Sequence, residues 1–312
     1  RRPHAAQDLP RGVLKDNINK RKRWDAIFAL CGMVALMIGV LTFVTLFVDM
    51  ALDGFGRLSW DFFTSYPSRR PGQAGILSAW VGSTLVMIVT AFFAVPLGVA
   101  AGVYLEEYAP KNWVTDVIEI NITNLAGVPS IVYGLLALGL FVYQFGFGQS
   151  ILSAGLTLAL LILPVVIVAT REAIRSIPQA IREGSYALGA TQWQTVRYHI
   201  LPYSSAGILT GVIIGMARAI GETAPIITIG ALTFIAFLPP APITSKPPFV
   251  SFEWLMSPFT VMPIQMFNWT SRPEAAFHAN AAAAGFVLVI MTLAMNGLAI
   301  WLRYRLRRNI KW

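Results

Sequence analysis

Two charged side chains, Arg218 and Glu222, interrupt an otherwise uncharged apolar stretch between Tyr203 and Phe237. Residues four positions apart share one face of a helix, so the guanidinium and the carboxylate can form an ion pair. A charge in the middle of a membrane costs about 2.5–3.5 kcal/mol even on the most lenient scale, so such residues usually face a bundle interior or a water-filled path. We therefore expect a polar pathway beside this pair. A self-neutralised structural pair is the alternative.

The rest of the sequence offers little for catalysis. It contains no Gly-x-x-x-x-Gly-Lys-Ser/Thr loop, so another chain would have to bind and hydrolyse ATP. The three histidines, His4, His199 and His278, are far apart in the sequence, and the single cysteine, Cys31, lies in an apolar stretch. We therefore predict a chain that is not an enzyme, with no catalytic residues, no metal site and no cofactor of its own.

The composition places the charged pair in a membrane. Charged residues make up 12% of the 312 positions, hydrophobic residues make up 56%, and the mean hydropathy is +0.63. A helix of about 20 apolar residues crosses a bilayer core. We predict an all-α integral membrane protein with one domain and six spans, at about residues 26–48, 76–104, 127–144, 151–170, 203–237 and 279–302.

The net charge of +9 is concentrated beside apolar segments, which indicates topology signals rather than nucleic-acid binding. With a cytoplasmic N-terminus, the inner segments hold 18 Lys and Arg residues and the outer segments hold five. The positive-inside rule therefore places both termini in the cytoplasm, with residues 1–25 as a basic tail. Residues 238–278 contain eight of the 19 prolines and are expected to form an ordered external loop with short helical turns.

The predicted inner loop, residues 176–202, is named the elbow here. Two capping boxes flank its central glycine, Gly189, and are formed by Ser176 with Gln179 and by Thr191 with Gln194. We expect two short helices that meet in a sharp turn at Gly189, the second ending where Pro202 begins the next span. An amphipathic loop on the lipid surface is the alternative.

The charged span also contains signals for close packing and for bending. Gly207, Gly211 and Gly215, at four-residue spacing, would let a second helix approach closely. Pro225 lacks the N–H group that would bond to the carbonyl of Gly221. We therefore expect a kinked helix at Gly221 and Pro225, with a role in gating.

The elbow resembles the EAA loop of ABC-importer permeases. The order Glu183-Gly184-Ser185, Gly189 and Leu201-Pro202 has the spacing of that motif, with two small residues in place of its alanines and His199 in place of its usual isoleucine. In that family the loop is a coupling helix that seats in a cleft of the ATPase subunit. The resemblance implies that coupling to an ATPase involves Glu183, Gly184, Ala187, Gly189, Leu201 and Pro202.

Further segments resemble the phosphate ABC-transporter permeases of the PstA type. These are Arg218-Ala-Ile-Gly-Glu-Thr-Ala-Pro225, Tyr186-Ala-Leu-Gly-Ala-Thr191, Gly207-Ile-Leu-Thr-Gly211 and Gly127-Val-Pro-Ser-Ile-Val-Tyr-Gly134, and the likeness covers roughly residues 75–235. The resemblance implies the six-span type I fold of ABC-importer permeases, in the bacterial inner membrane. The partners it implies are a homologous second permease of the PstC type, two ATPase subunits that bind ATP and Mg, and an external phosphate-binding protein.

The same resemblance makes inorganic phosphate the expected cargo, and the chemistry of the charged pair agrees with it. A guanidinium offers bidentate donors that can replace part of the hydration of a phosphate anion. Arg218 is the first candidate for this contact, with Thr223 in the same segment and with Glu222 moderating the hold on the anion. Arg171, at the inner end of the fourth span, is the second candidate. A positive-inside anchor is the alternative role for Arg171.

Three other functions fit parts of the sequence. The cargo could be another oxyanion, such as sulfate, molybdate or tungstate. An ion-coupled secondary transporter would also use an intramembrane Arg/Glu pair, but it gives no reason for the elbow and usually has internal repeats, which are not apparent here. A membrane-bound phosphotransferase is disfavoured because the sequence lacks clustered acid, base or metal ligands.

Overall fold

The computed structural model describes residues 11–243 and 249–307, with the side chains of 20–243 and 249–305. In these ranges the chain is helical, and the β pairing is limited to one bridge between Ile243 and Val250. Helices suit so apolar a chain because backbone polar groups inside a bilayer must be bonded within the protein. The principal helices are α1 (Arg11–Phe55), α2 (Leu77–Tyr108), α3 (Trp113–Leu125), α4 (Ser130–Gln144), α5 (Ile151–Arg175), α6 (Gln179–Ala187), α7 (Gln192–Ile220), α8 (Ala224–Thr228), α9 (Met262–Thr270) and α10 (Ala275–Arg307).

Five of the described helices, α1, α2, α5, α7 and α10, are long and apolar enough to cross a membrane. A sixth crossing results if α3 and α4 are counted as one bent span. The predicted all-α membrane fold is confirmed, and the predicted number of spans agrees with this upper count.

The third predicted span, residues 127–144, corresponds to the second half of a bent pair of helices, α3 and α4. α3 and α4 are separated by a break at residues 126–129 and form an angle of 106°. Pro129 lacks an N–H group and disfavours a helical conformation in the residue before it, so α3 cannot continue into α4. α4 alone is about 22 Å long at 1.5 Å per residue, which is shorter than the roughly 30 Å hydrocarbon core.

The fifth predicted span, residues 203–237, is wrong at its end. The helix α7 begins earlier, at Gln192, and ends at Ile220. Gly221 caps its end, and Pro225 lies in the first turn of the separate short helix α8. Hydropathy does not reveal this break, because the sequence after Gly221 remains apolar.

The helix α1 forms a unit of its own as far as Leu52. Its described side chains, from Lys20 onwards, are almost all exposed, and a helix that is apolar all round suits a lipid environment. Residues 11–25 of the predicted basic tail are helical and belong to α1. Residues 1–10 of that tail lie outside the described residues.

The second unit, from Asp53 onwards, is built around α5, which packs against α2 and α7. Gly207 faces Ala173 and Gly211 faces Ala169, so α5 and α7 run antiparallel. A Cβ atom added to Gly207 would lie 2.6 Å from the Cβ of Ala173, which confirms the close packing expected from the glycine spacing. Residues 176–200 lie at one end of this unit, named the elbow end; α5 begins at the opposite end.

The described part of residues 238–278 folds onto this second unit near the start of α2. It contains a 3₁₀ turn, Glu253–Met256, and the short helix α9. The backbone N–H of Met262 donates a hydrogen bond of 2.9 Å to Ser83 Oγ on α2, and Trp254 and Trp269 are buried. The segment is therefore ordered and contains, among its described residues, no helix long enough to be a seventh span.

Candidate functional site

Arg218 and Glu222 form the expected ion pair at the end of α7. Arg218 Nε lies 3.3 Å from Glu222 Oε1, and their side chains are 39% and 18% exposed. Arg218 is in the last turn of α7, where the partial negative charge of the helix end stabilises a cation. Glu222 follows the end of the helix, with its backbone N–H donated to the carbonyl of Ala219 at 3.2 Å.

The pair lies beside the apolar part of α5, away from the first residue of that helix. Leu158 of α5, Ala219 and Glu222 line one narrow cavity. Leu158 lies about 10 Å along α5 from its first residue, Ile151. Glu222 is therefore beside the middle of the bundle, whereas the Arg218 side chain is 39% exposed.

The helix kink expected at Gly221 and Pro225 is wrong, because the chain breaks there instead. The N–H of Gly221 bonds to the carbonyl of Arg218 at 3.2 Å, which closes the end of α7 with a short turn. Thr223 precedes α8 and accepts a hydrogen bond of 3.0 Å from Ile227 N–H through its carbonyl. The pair thus stands at an interrupted helix, where backbone groups are released for other partners.

The break between α3 and α4 lies beside the break between α7 and α8. The sequence analysis assigned no role to the α3–α4 break. Gly134 of α4 faces α8: a Cβ atom added to it would lie 2.7 Å from the Cα of Pro225. The hydroxyl of Tyr133 donates to the carbonyl of Leu125 at 2.8 Å, across the break between α3 and α4, and Tyr133 lies within electrostatic reach of Arg218. The segments 127–134 and 218–225, noted separately in the sequence, are therefore neighbours in space.

Arg171 is not part of this site. It is 6% exposed, its Nε lies 3.5 Å from Glu106 Oε2, and its Nη2 contacts a carboxylate oxygen of Glu119. Arg175 contacts the same two glutamates, at 2.9 and 3.8 Å. This charge cluster borders a cavity of about 290 Å³ at the elbow end. Along α7, Arg218 lies about 14 Å beyond the level of Arg171, so the structure does not bring these two arginines together.

The elbow contains the sharp turn that the sequence predicts. Gly189 has φ +83°, which favours glycine, and Thr191 and Gln194 form the predicted capping box. The first predicted capping box is wrong: Ser176 caps the end of α5 and donates its hydroxyl to the carbonyl of Ala173. The helix α6 begins after Pro178 without a side-chain cap.

The second arm of the elbow is not a separate helix. It continues into the membrane part of α7 through a π-helical turn at Val196–Ile200, in which the N–H of Leu201 bonds to the carbonyl of Val196. This wider turn lets the helix pass Pro202, which has no N–H group to donate. The structure therefore places Leu201 and Pro202 in α7, away from the tip of the elbow.

The tip of the elbow is an exposed surface. Glu183, Gly184, Ala187 and Gly189 are all exposed there, and Leu188 between them is 91% exposed. Sequence reasoning missed Leu188, although its place beside the turn glycine was visible.

Among the described residues, no group of three or more His, Cys, Asp or Glu side chains is placed to hold a metal ion. The chemical groups of the site are thus a guanidinium, a carboxylate, a tyrosine hydroxyl and released backbone groups at two helix breaks.

Comparison with known proteins identifies this architecture. The model of the family described as "Binding-protein-dependent transport system inner membrane component" matches residues 94–312. The probable ABC transporter permease protein YqgI of Bacillus subtilis (strain 168) is 33% identical over 283 residues, which cover 88% of this chain and 92% of that protein. The phosphate transport system permease protein PstA of Mycobacterium leprae (strain TN) is 33% identical over 222 residues, covering 71% and 68%.

A solved structure has the same fold. A chain of the bacterial alginate ABC transporter, in complex with an alginate pentasaccharide-bound periplasmic protein, superposes with a TM-score of 0.61 and covers 90% of this chain and 94% of that chain at 12% identity. The family match spans more than half of the chain and includes both helix breaks and the elbow. The chain therefore belongs to the inner-membrane permease components of binding-protein-dependent ABC transporters.

Proposed function

We propose that this permease forms half of the translocation pathway of an ATP-driven importer of inorganic phosphate. The observation that supports this proposal best is that Arg218 is partly exposed and has few ionic contacts. Among the described residues, Glu222 is its only ion-pair partner, through Nε, and 39% of the side chain is exposed. The guanidinium therefore keeps donors for an oxyanion at membrane depth, where a cation with no such task is costly.

The neighbouring carboxylate favours phosphate over sulfate. Near neutral pH, phosphate still carries at least one proton, whereas sulfate carries none. Glu222, 3.3 Å from Arg218, can accept a hydrogen bond from a protonated phosphate oxygen but repels an oxyanion that has no proton to donate. The PstA names of several relatives point to the same cargo. Sulfate, molybdate and tungstate remain the alternatives to be tested.

The remaining parts of the importer follow from the same proposal. The exposed elbow tip docks on an ATPase subunit, which holds ATP and Mg, and a homologous second permease of the PstC type completes the pathway beside Arg218. The elbow end and both termini are cytoplasmic, in a bacterial inner membrane. Residues 238–278 are on the outer side, where an external phosphate-binding protein delivers the anion.

The decisive experiment is phosphate uptake by the reconstituted complex carrying Arg218→Gln. Loss of charge-assisted hydrogen bonds of about 1.5–3 kcal/mol predicts a fall in uptake of about tenfold or more, with subunit assembly unchanged. Arg218→Lys should retain part of the uptake because the charge remains but the planar fork is lost. Arg23→Gln, which changes an exposed arginine of α1, is the matched control.

Two results would contradict the proposal. Wild-type-like uptake by Arg218→Gln, or its full restoration in the double variant Arg218→Gln with Glu222→Gln, would leave a structural ion pair only. Strong competition by excess sulfate, molybdate or tungstate in the wild-type complex would assign a different oxyanion.

A further inference from the structure

A buried ion pair joins the elbow to the membrane helices. Glu107, in the π-helical turn at the end of α2, accepts hydrogen bonds from Arg182 of α6, at 2.7 Å from Nη2 and 3.1 Å from Nε. The two side chains are only 6% and 12% exposed. Neither residue was singled out by the sequence, because the partners are 75 positions apart.

The same guanidinium also binds the end of α5. Nη1 of Arg182 donates to the carbonyl of Ile177 at 3.0 Å, and Nη2 donates to the carbonyl of Ile174 at 3.1 Å. These carbonyls lie at the end of α5 and just after it, where the regular helical hydrogen bonds stop. One side chain therefore holds three elements together: α2, α5 and the first arm of the elbow.

The second arm of the elbow is fixed to the same point. Gln192, at the start of α7, donates a hydrogen bond to the backbone carbonyl of Glu107. The hydroxyl groups of Ser185 and Thr195 are 2.8 Å apart and link the two arms of the elbow to each other. Neither arm can then turn independently without breaking a bond to the segment around Glu107.

Apolar packing supports this junction from the membrane side. Ile174, Ile177 and Ile200 form a buried cluster directly beneath it, with Val103 and Ile181 packed against them. Such a cluster transmits displacement because packed side chains resist compression. The elbow is thus joined to the bundle by both charge and packing, in contrast to its exposed tip.

We propose that the Arg182–Glu107 pair positions the elbow, so that a displacement of the elbow moves the inner ends of α2 and α5 with it. This inference rests on the proposed ATP-driven function, for which it names the residues that pass motion from the ATPase to the pathway. Arg182 and Glu107 are positioning residues and contact neither the cargo nor ATP. Without the pair, the ATPase would move the elbow without moving α2 and α5, and less phosphate would be transported per ATP hydrolysed.

The test uses the reconstituted complex with Glu107→Gln, Arg182→Met and the exchanged pair Glu107→Arg with Arg182→Glu. The single variants should assemble with the ATPase and hydrolyse ATP, while uptake per ATP falls by about fivefold or more. The exchanged pair should recover part of this ratio. Glu172→Gln is the control, since its side chain is 66% exposed and, among the described residues, its one ion pair is with Arg175 at 3.6 Å.

An unchanged ratio of uptake to ATP in both single variants would overturn the proposal. A second measurement covers variants that do not assemble: amide hydrogen exchange of the full-length permease in detergent should show lower protection of residues 179–187 in Glu107→Gln than in the wild type. Unchanged protection there would also reject the pair. Failure of the proposed function is distinguishable, because the wild-type complex itself would then show no ATP-dependent phosphate uptake.

Discussion

Arg171 and Arg218 are both arginines of membrane helices, and they differ in the number of carboxylates around them. Arg171 is nearly buried between Glu106 and Glu119, whereas Arg218 has Glu222 as its one partner among the described residues. A guanidinium with two carboxylates has little capacity left for an anion. This contrast favours the anchor role for Arg171 and supports the proposed contact of Arg218 with the anion.

The contrast predicts that substitution of Arg171 lowers the stability of the permease, whereas substitution of Arg218 does not. Breaking a buried ion pair costs about 3–5 kcal/mol, and because Glu106 and Glu119 remain 18% and 28% exposed we expect roughly 2 kcal/mol for Arg171→Met. Thermal unfolding of the permease in detergent should shift to lower temperature in this variant and stay near wild type in Arg218→Gln. Equal shifts in the two variants would argue against the assignment.

The two helix breaks are the elements that form the site. The segment around Gly134 packs against α8 so closely that no side chain fits between them, and Tyr133 bridges the break before α4. This contact holds α8, and with it the end of α7, beside the start of α4. Glycine at position 134 is therefore required by the approach of another backbone.

A pair of alanine substitutions on one helix tests this contact. Gly134→Ala should destabilise the permease by about 1–3 kcal/mol through overpacking against Pro225. A Cβ atom added at Gly139, also in α4, would meet no atom within 4 Å, apart from those of its chain neighbours and its own helix backbone. Gly139→Ala should therefore be neutral or slightly stabilising. Unfolding midpoints in detergent and phosphate uptake check both; equal behaviour of the two variants would mean that the contact does not form.

Some of these elements can be predicted from the sequence and others cannot. The turn at Gly189 is local: a capping box and a positive φ are encoded by neighbouring residues. The end of α7 at Ile220 is not, because apolar residues follow it and hydropathy cannot distinguish a helix from a folded apolar loop. The partners of Arg171 and Arg182 are also invisible, since they come from distant parts of the chain.

At the scale of the whole molecule, the charge distribution and the fold give one orientation. The elbow and the end of α5 share the elbow end, and Arg303, near the end of α10, donates to Thr210 Oγ1 in the middle of α7 at 2.9 Å. Residues 253–270 pack near the beginning of α2 instead. By the positive-inside rule, the excess of Lys and Arg in the predicted inner segments supports the proposed cytoplasmic placement of the elbow end.

Thiol labelling in intact cells checks this orientation. In a variant with Cys31→Ser, which removes an exposed thiol, a cysteine at Phe252 should react with a membrane-impermeant reagent and a cysteine at Tyr186 should not. Both positions are exposed, at 70% and 44%, so access is not limited by the fold. Labelling of position 186 before the cells are opened would reverse the topology.

The π-helical turn at Val196–Ile200 determines the direction in which the elbow points. Such a turn contains one residue more than an α-helical path, and each residue advances an α-helix by about 100° about its axis. The angle between the exposed tip and the membrane part of α7 is therefore fixed by chain length, independently of the side chains in between. Loss of a single residue there would preserve every apolar side chain of the span and yet turn the tip by about 100° about the helix axis.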